Sequence, residues 1–127
     1  MKYKAKILSG PQLAIMKVVW HLGEATVRDV YEDLRLHRPI AYTTVMTTMK
    51  NMEAKGLLKK RSEGRAYVYT PTVAEGQMLR RMLGDFIDRV FNGSTEPLLA
   101  HLVKERRLSE EDLEKIGRMI REEESKR

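Results

Sequence analysis

The residues best suited to recognition chemistry gather between positions 41 and 65 of the chain. The run Ala41-Tyr42-Thr43-Thr44-Val45-Met46-Thr47-Thr48-Met49-Lys50 holds four threonines within six positions. A threonine hydroxyl donates or accepts a hydrogen bond, and its methyl group packs on another methyl, so such a strip can read a surface of mixed polar and apolar character. Threonine is a mediocre helix former, so four placed so close together call for a reason other than helix propensity. Lys50 follows in the same run and Arg61 and Arg65 come after it, all three suited to phosphate oxygens.

Catalytic chemistry finds no comparable support. His21, His37 and His101 lack metal-ligand spacing, the chain has no cysteine, and no H-E-x-x-H, G-x-S-x-G or glycine-rich phosphate loop occurs. Ser62-Glu63-Gly64-Arg65-Ala66 contains one glycine and reads as a turn. Glu110-Glu111-Asp112 stands where a helix begins, and there negative charge suits the helix dipole. Neither an enzyme nor a protein with a metal or other cofactor is expected. Met49, Met52, Met78 and Met82 recur at helical steps and read as core, whereas Met46 lies beside the threonine strip, where it is free for apolar recognition contacts.

Periodicity assigns the helices and strands around them. Pro11 starts a first helix that runs to Leu22, with Leu13, Met16, Val19 and Trp20 on its apolar face and Gly23 as its stop. Thr26 caps a second, with Val27, Val30, Tyr31 and Leu34 inward, expected to end near Leu36 because Pro39 biases Arg38 away from helical angles. The third spans Ala41 to Lys55 before Gly56; Val45, Met49 and Met52 form its buried stripe, and Thr43, Thr44, Thr47 and Lys50 face away. Leu57–Arg61 and Ala66–Thr70 then make a hairpin. Thr72-Val73-Ala74-Glu75 has the spacing of a capping box and is expected to launch a long fourth helix, apolar from Met78 through Phe91. Asn92-Gly93 ends it; Ser94 or Thr95 caps a fifth helix and Ser109, with Asp112, a sixth, while the charged tail from Glu122 is expected to fray.

Three helices followed by a hairpin is the winged helix-turn-helix plan, in which the third helix enters the DNA major groove and the hairpin touches the backbone beside it. The fold class is therefore mainly α with a small β wing: a winged-helix DNA-binding domain over 1–71 and a C-terminal helical dimerisation region over 72–127. Charge is distributed accordingly. Of the net +6, residues 1–71 carry 13 Lys and Arg against 6 Asp and Glu, a surplus of +7, and residues 72–127 carry 11 against 12, or −1. Such a basic excess attracts polyanions, of which nucleic acid is the commonest for a small protein. The competing class is a winged-helix module that docks protein through the same helix face. No apolar run approaches the roughly 18 residues a membrane span needs, and Met1-Lys2-Tyr3-Lys4-Ala5-Lys6 precedes no signal-like apolar stretch. A cytoplasmic protein without a membrane partner is expected.

Ala41-Tyr42-Thr43-Thr44-Val45-Met46-Thr47, Lys55-Gly56-Leu57-Leu58 and Gly64-Arg65-Ala66-Tyr67-Val68-Tyr69 together resemble the penicillinase repressor family, the BlaI/MecI-type regulators. The likeness spans nearly the whole chain. It implies a homodimeric repressor of palindromic double-stranded DNA operators in β-lactam-response or related genes. By that likeness Tyr42, Thr43, Thr44, Met46 and Thr47 contribute to the DNA face, with Lys50, Arg61 and Arg65 approaching the backbone. Phe86, Val90, Leu98, Leu99, Leu102, Val103, Leu113, Ile116 and Ile120 supply the apolar faces assigned to dimerisation. Family members that respond to β-lactams are inactivated by a regulatory protease cutting the fifth helix, commonly at an Asn-Phe bond; the matching positions here are His101-Leu102. Copper-responsive relatives carry a cysteine-rich C-terminal site, which a chain without cysteine cannot form.

Overall fold

A computed structural model describes residues 8–127; the charged opening segment, and the reading of it as lacking a signal sequence, lie outside the described residues. The chain separates into two compact units, Met1–Asp85 and Phe86–Arg127. The elements are α1 (Gly10–Leu22), α2 (Val27–Leu34), α3 (Tyr42–Ala54), β1 (Leu58–Glu63), β2 (Ala66–Pro71), α4 (Glu75–Phe91), α5 (Thr95–Lys104) and α6 (Glu110–Ser125). The fold is mainly helical with one small sheet, as the sequence pattern predicts.

Local chemistry explains the starts and stops in the first unit. At α1 the Ser9 Oγ accepts from the Gln12 amide while Gln12 Oε1 accepts from the Ser9 amide, a reciprocal capping box. Thr26 and Asp29 repeat the arrangement at α2. Gly23, at φ 87°, donates its amide to the Val19 carbonyl and ends α1 in a conformation that a side chain would disfavour. The second helix stops at Leu34 rather than Leu36: the amides of Leu36 and His37 reach back to Asp33 and Leu34, tightening the chain into a turn ahead of Pro39.

The two strands pair antiparallel, with Leu58 opposite Pro71 and Glu63 opposite Ala66. Across the other edge of β2, Ala25 and Tyr69 exchange backbone hydrogen bonds of 3.0 and 2.8 Å, so the α1–α2 connection adds a single-residue third strand. The core beneath is built from Ile15, Met16 and Val19 of α1, Val30 and Leu34 of α2, Val45, Met49 and Met52 of α3, and Leu57, Leu58 and Tyr69 around the hairpin. Each such fully buried side chain contributes about 1.5–3 kcal/mol through water exclusion. Met78 is buried in the same core and Met82 packs against it, so the first turns of α4 belong to this unit. Trp20 Nε1 donates to the Val73 carbonyl at 2.9 Å, securing the segment that precedes α4.

The capping box expected at Thr72 does not form. Its Oγ1 instead donates to the carbonyls of Gly56 and Leu57, at 2.6 and 3.0 Å, and α4 begins at Glu75. Thr72 thus ties the end of the hairpin to the turn that precedes it, and those two carbonyls compete successfully for its hydroxyl.

In the second unit Asn92 and Gly93, both at positive φ, end α4. Ser94 precedes α5 without a side-chain capping bond, whereas Ser109 and Asp112 form a complete capping box at α6. The hydrogen bonds to Ser109 hold the Asp112 carboxyl below its ordinary range. The charged segment expected to fray from Glu122 remains helical to Ser125. Neither α5 nor α6 has a buried residue. No helix among the described residues is long and apolar enough to cross a membrane.

Candidate nucleic-acid interface

Helix α3 separates its two functions by period. Val45, Met49 and Met52, at steps of four and three, are fully buried. Thr43, Thr44, Thr47 and Lys50 are exposed, and Met46 is 37% exposed on the same outward side. Thr48, the fourth threonine, is half-buried. A helix this firmly seated presents its outer side chains from a rigid support, which is what recognition by short polar groups requires.

Beside this face lies a groove of about 580 Å³, bounded by the start of α2, the outer side of α3 and the hairpin. Tyr42, Met46, Lys50 and Arg65 line it, so four of the eight residues read from sequence as DNA-facing come together there. Thr43, Thr44 and Thr47 stay on the exposed helix surface outside its lining. The groove also receives Arg28, Lys60 and Tyr67, which the sequence reading did not single out. Four cations and, among the described residues, no carboxylate line it.

Aromatic rings organise two of these cations. The Arg28 guanidinium lies 5.3 Å from the Tyr42 ring centre, and Tyr42 itself packs edge-on against Tyr31 at 5.5 Å. Lys60 Nζ lies 4.3 Å from the Tyr67 ring centre. Both are cation–π distances. Carboxylates touch the same cations from outside: Arg28 to Glu32 at 3.4 Å, and Lys60 to Glu53 at 4.0 Å. Tyr69, at the groove floor, is buried, and that burial pushes its phenol above the ordinary range.

Arg61 is placed differently. Strand alternation puts it on the face opposite Lys60, where Nη1 and Nη2 meet Glu24 at 2.9 and 3.1 Å and Nη2 also meets Glu63 at 3.3 Å. These hydrogen bonds and charges raise the Arg61 pKa further, and Arg61 holds the Glu24 carboxyl below its usual range. Period-2 alternation along Leu58–Glu63 and Ala66–Pro71 was the available signal: it separates Lys60 from Arg61 and brings Lys60 to the side of Tyr67 and Tyr69. The pairing of Arg28 with Tyr42 joins two helices and had no local signature.

The residues read as a dimerisation surface have another character. Phe86, Val90, Leu99, Val103, Leu113 and Ile120 are exposed, at 41–52%, and Leu98, Leu102 and Ile116 are half-buried. Phe91 holds Phe86 edge-on at 5.7 Å and lies 5.8 Å from the His101 ring. His101 and Leu102 sit inside the helical span of α5, His101 exposed.

Comparison with known proteins agrees with this architecture. Residues 8–122 match the family model described as penicillinase repressor. The chain is 25% identical over 115 residues to the penicillinase repressor of Bacillus licheniformis, covering 91% of this chain and 90% of that one. It is 30% identical over 111 residues to the transcriptional regulator BlaI of Mycobacterium tuberculosis, covering 86% and 79% respectively. Among solved structures, the DNA binding domain of the repressor BlaI superposes with a TM-score of 0.52 at 30% identity, over 58% of this chain and 90% of that domain.

Proposed function

The chain belongs to the penicillinase repressor family, and from that premise we propose that it is a homodimeric, sequence-specific repressor of palindromic DNA operators in β-lactam-response or related genes. The observation that carries this reading is α3: a fully buried stripe of Val45, Met49 and Met52 beneath an exposed row of Thr43, Thr44, Met46, Thr47 and Lys50. A helix of that kind fits the major groove, about 12 Å wide, where each base pair shows its own pattern of donors, acceptors and methyl groups. The threonines face base edges with Tyr42 at the edge of their row, Met46 meets thymine methyls, and Lys50 and Arg65 meet phosphates. Arg61 reaches the backbone by exchanging Glu24 for a phosphate.

Residues 1–71, with the first turns of α4 completing their core, form the reading part of this proposal, and the remainder of 72–127 the pairing part. A symmetric dimer sets two reading helices on two half-sites, so operator affinity depends on the pairing. The apolar surface of α4, α5 and α6, from Phe86 to Ile120, is what pairing covers. Cleavage at His101-Leu102 by a regulatory protease removes the avidity that joins two weaker half-site contacts, and the operator is released. Because both residues are helical, the cut requires local opening of α5. The protein works in the cytoplasm, where its DNA lies.

Selection of duplexes by the full chain from a random-sequence library tests the reading. Two inverted half-sites whose centres lie about 10–10.5 base pairs apart, or a multiple of that, are expected. A library that emerges unenriched overturns it.

A further inference from the structure

The groove between α2, α3 and the hairpin has a composition that the readout face alone does not explain. Its cations stand on both sides: Arg28 and Lys50 on the helices, Lys60 and Arg65 on the hairpin. Two of them are long side chains laid over tyrosine rings, Arg28 over Tyr42 at 5.3 Å and Lys60 over Tyr67 at 4.3 Å. A ring beneath a lysine or arginine restricts its rotamers, so less freedom is lost when the charged head meets an anion. Tyr42 is itself braced by Tyr31, and Tyr67 is 52% exposed, with its face available to the lysine. The carboxylates near these cations, Glu32 and Glu53, make only exposed or long contacts, which a phosphate can replace. The volume of about 580 Å³ exceeds what one phosphate group fills.

We propose that Tyr42 and Tyr67 are positioning residues for the DNA backbone: each holds a cation over its ring, Arg28 and Lys60, and these two grip phosphates of the strand that lies between α3 and the hairpin. The proposal rests on the reading that the chain binds duplex DNA, and it adds a backbone clamp to the face of α3. With Tyr67 and Tyr42 beneath them, Lys60 and Arg28 fix where the strand enters between reading helix and wing. Thr44 and Thr47 then meet base edges in one register only.

The test measures binding of the full chain to a fluorescent random-sequence 30-base-pair duplex across a salt series. Each phosphate contact adds about 0.9 to the slope of log affinity against log salt. Lys60→Gln and Arg28→Gln are each expected to flatten the slope by about that amount. Lys17→Gln removes the same charge from an exposed position of α1 that does not line the groove and is expected to leave the slope within half that change. Tyr67→Ala, with the lysine still present, is expected to weaken binding about two- to fivefold, the loss of one exposed cation–π contact, at unchanged slope; Tyr67→Phe is expected to bind like the parent. The clamp is overturned if Lys60→Gln leaves the slope unchanged, if Lys17→Gln flattens it equally, or if Tyr67→Phe weakens binding as much as Tyr67→Ala. All these side chains are exposed, and thermal melting of each variant checks that its fold is intact. Failure of the parent chain to bind any duplex is a separate result, and it overturns the DNA reading itself.

Discussion

The two units of this chain solve the problem of apolar surface in opposite ways. In the first, Ile15, Met16, Val19, Val30, Val45, Met49 and Met52 are at most 1% exposed, and the outward side of α3 is mostly polar. In the second, Phe86, Val90, Leu99, Val103, Leu113, Met119 and Ile120 are 41–61% exposed, and nothing in α5 or α6 is buried. One unit completes its own core; the other holds a set of large apolar side chains that only a further surface can cover. In the proposed dimeric repressor this contrast divides the work: the finished domain carries precise short-range contacts and the unfinished one supplies association.

Equivalent apolar residues in the two units are expected to respond differently to truncation. Met49→Ala leaves a hole in a closed core and is expected to lower the unfolding free energy by about 2–5 kcal/mol in a urea titration. Leu99→Ala removes a side chain that is 47% exposed and is expected to act on subunit association first, seen as a transition that depends on protein concentration. If Leu99→Ala proved as costly as Met49→Ala at every concentration, α5 would lie in a core of its own.

Next in size is the pairing itself. Replacing Leu99 and Leu102 together by Asp places uncompensated charge on the face assigned to dimerisation, and sedimentation is expected to show monomers whose first unit still melts cooperatively. A parent chain that sediments as a monomer at micromolar concentration removes the pairing from the account.

A smaller effect sharpens the role of the finished unit. Thr44→Ala and Thr47→Ala alter exposed side chains without touching the buried stripe, so their expected cost is in discrimination, about 1–3 kcal/mol between the selected operator and random duplex. Equal weakening on both DNAs moves these threonines from readout to positioning.

Much of this division is legible in the sequence, because it rests on local periods. The 3–4 spacing of Val45, Met49 and Met52 fixes which face of α3 is buried, and the capping pairs Ser9–Gln12, Thr26–Asp29 and Ser109–Asp112 mark helix starts within a residue or two. What escapes is set by contacts between elements. Thr72 has the spacing of a helix cap, yet two carbonyls sixteen and fifteen residues earlier take its hydroxyl. The contact of Arg28 with Tyr42 joins two helices and leaves no trace in the local pattern of either. Strand alternation sets the adjacent Lys60 and Arg61 on opposite faces, but their partners, Tyr67 for Lys60 and Glu24 for Arg61, come from other elements of the fold.

That last pair yields the smallest expected effect. Arg61 is already satisfied by Glu24 and Glu63, so its approach to a phosphate exchanges one exposed ion pair for another and gains little affinity. Acidification is a poor tool for opening the pair. The Glu24 carboxyl is held below its ordinary value of 4.5, so the pair is complete above that value and is lost only as pH falls through the lowered one, where other carboxylates also protonate. Substitution isolates it at neutral pH. Glu24→Gln frees the guanidinium of one partner and is expected to tighten random-duplex binding modestly, by less than the loss of a threonine contact weakens the operator, with an unchanged salt slope because the same phosphate is met in both proteins. Arg61→Gln is expected to flatten that slope by about 0.9. Should Arg61→Gln leave the slope intact, the arginine remains on Glu24 in the complex, and its work is to hold the hairpin against the α1–α2 connection while Lys60 and Arg65 alone carry the wing's contact with DNA.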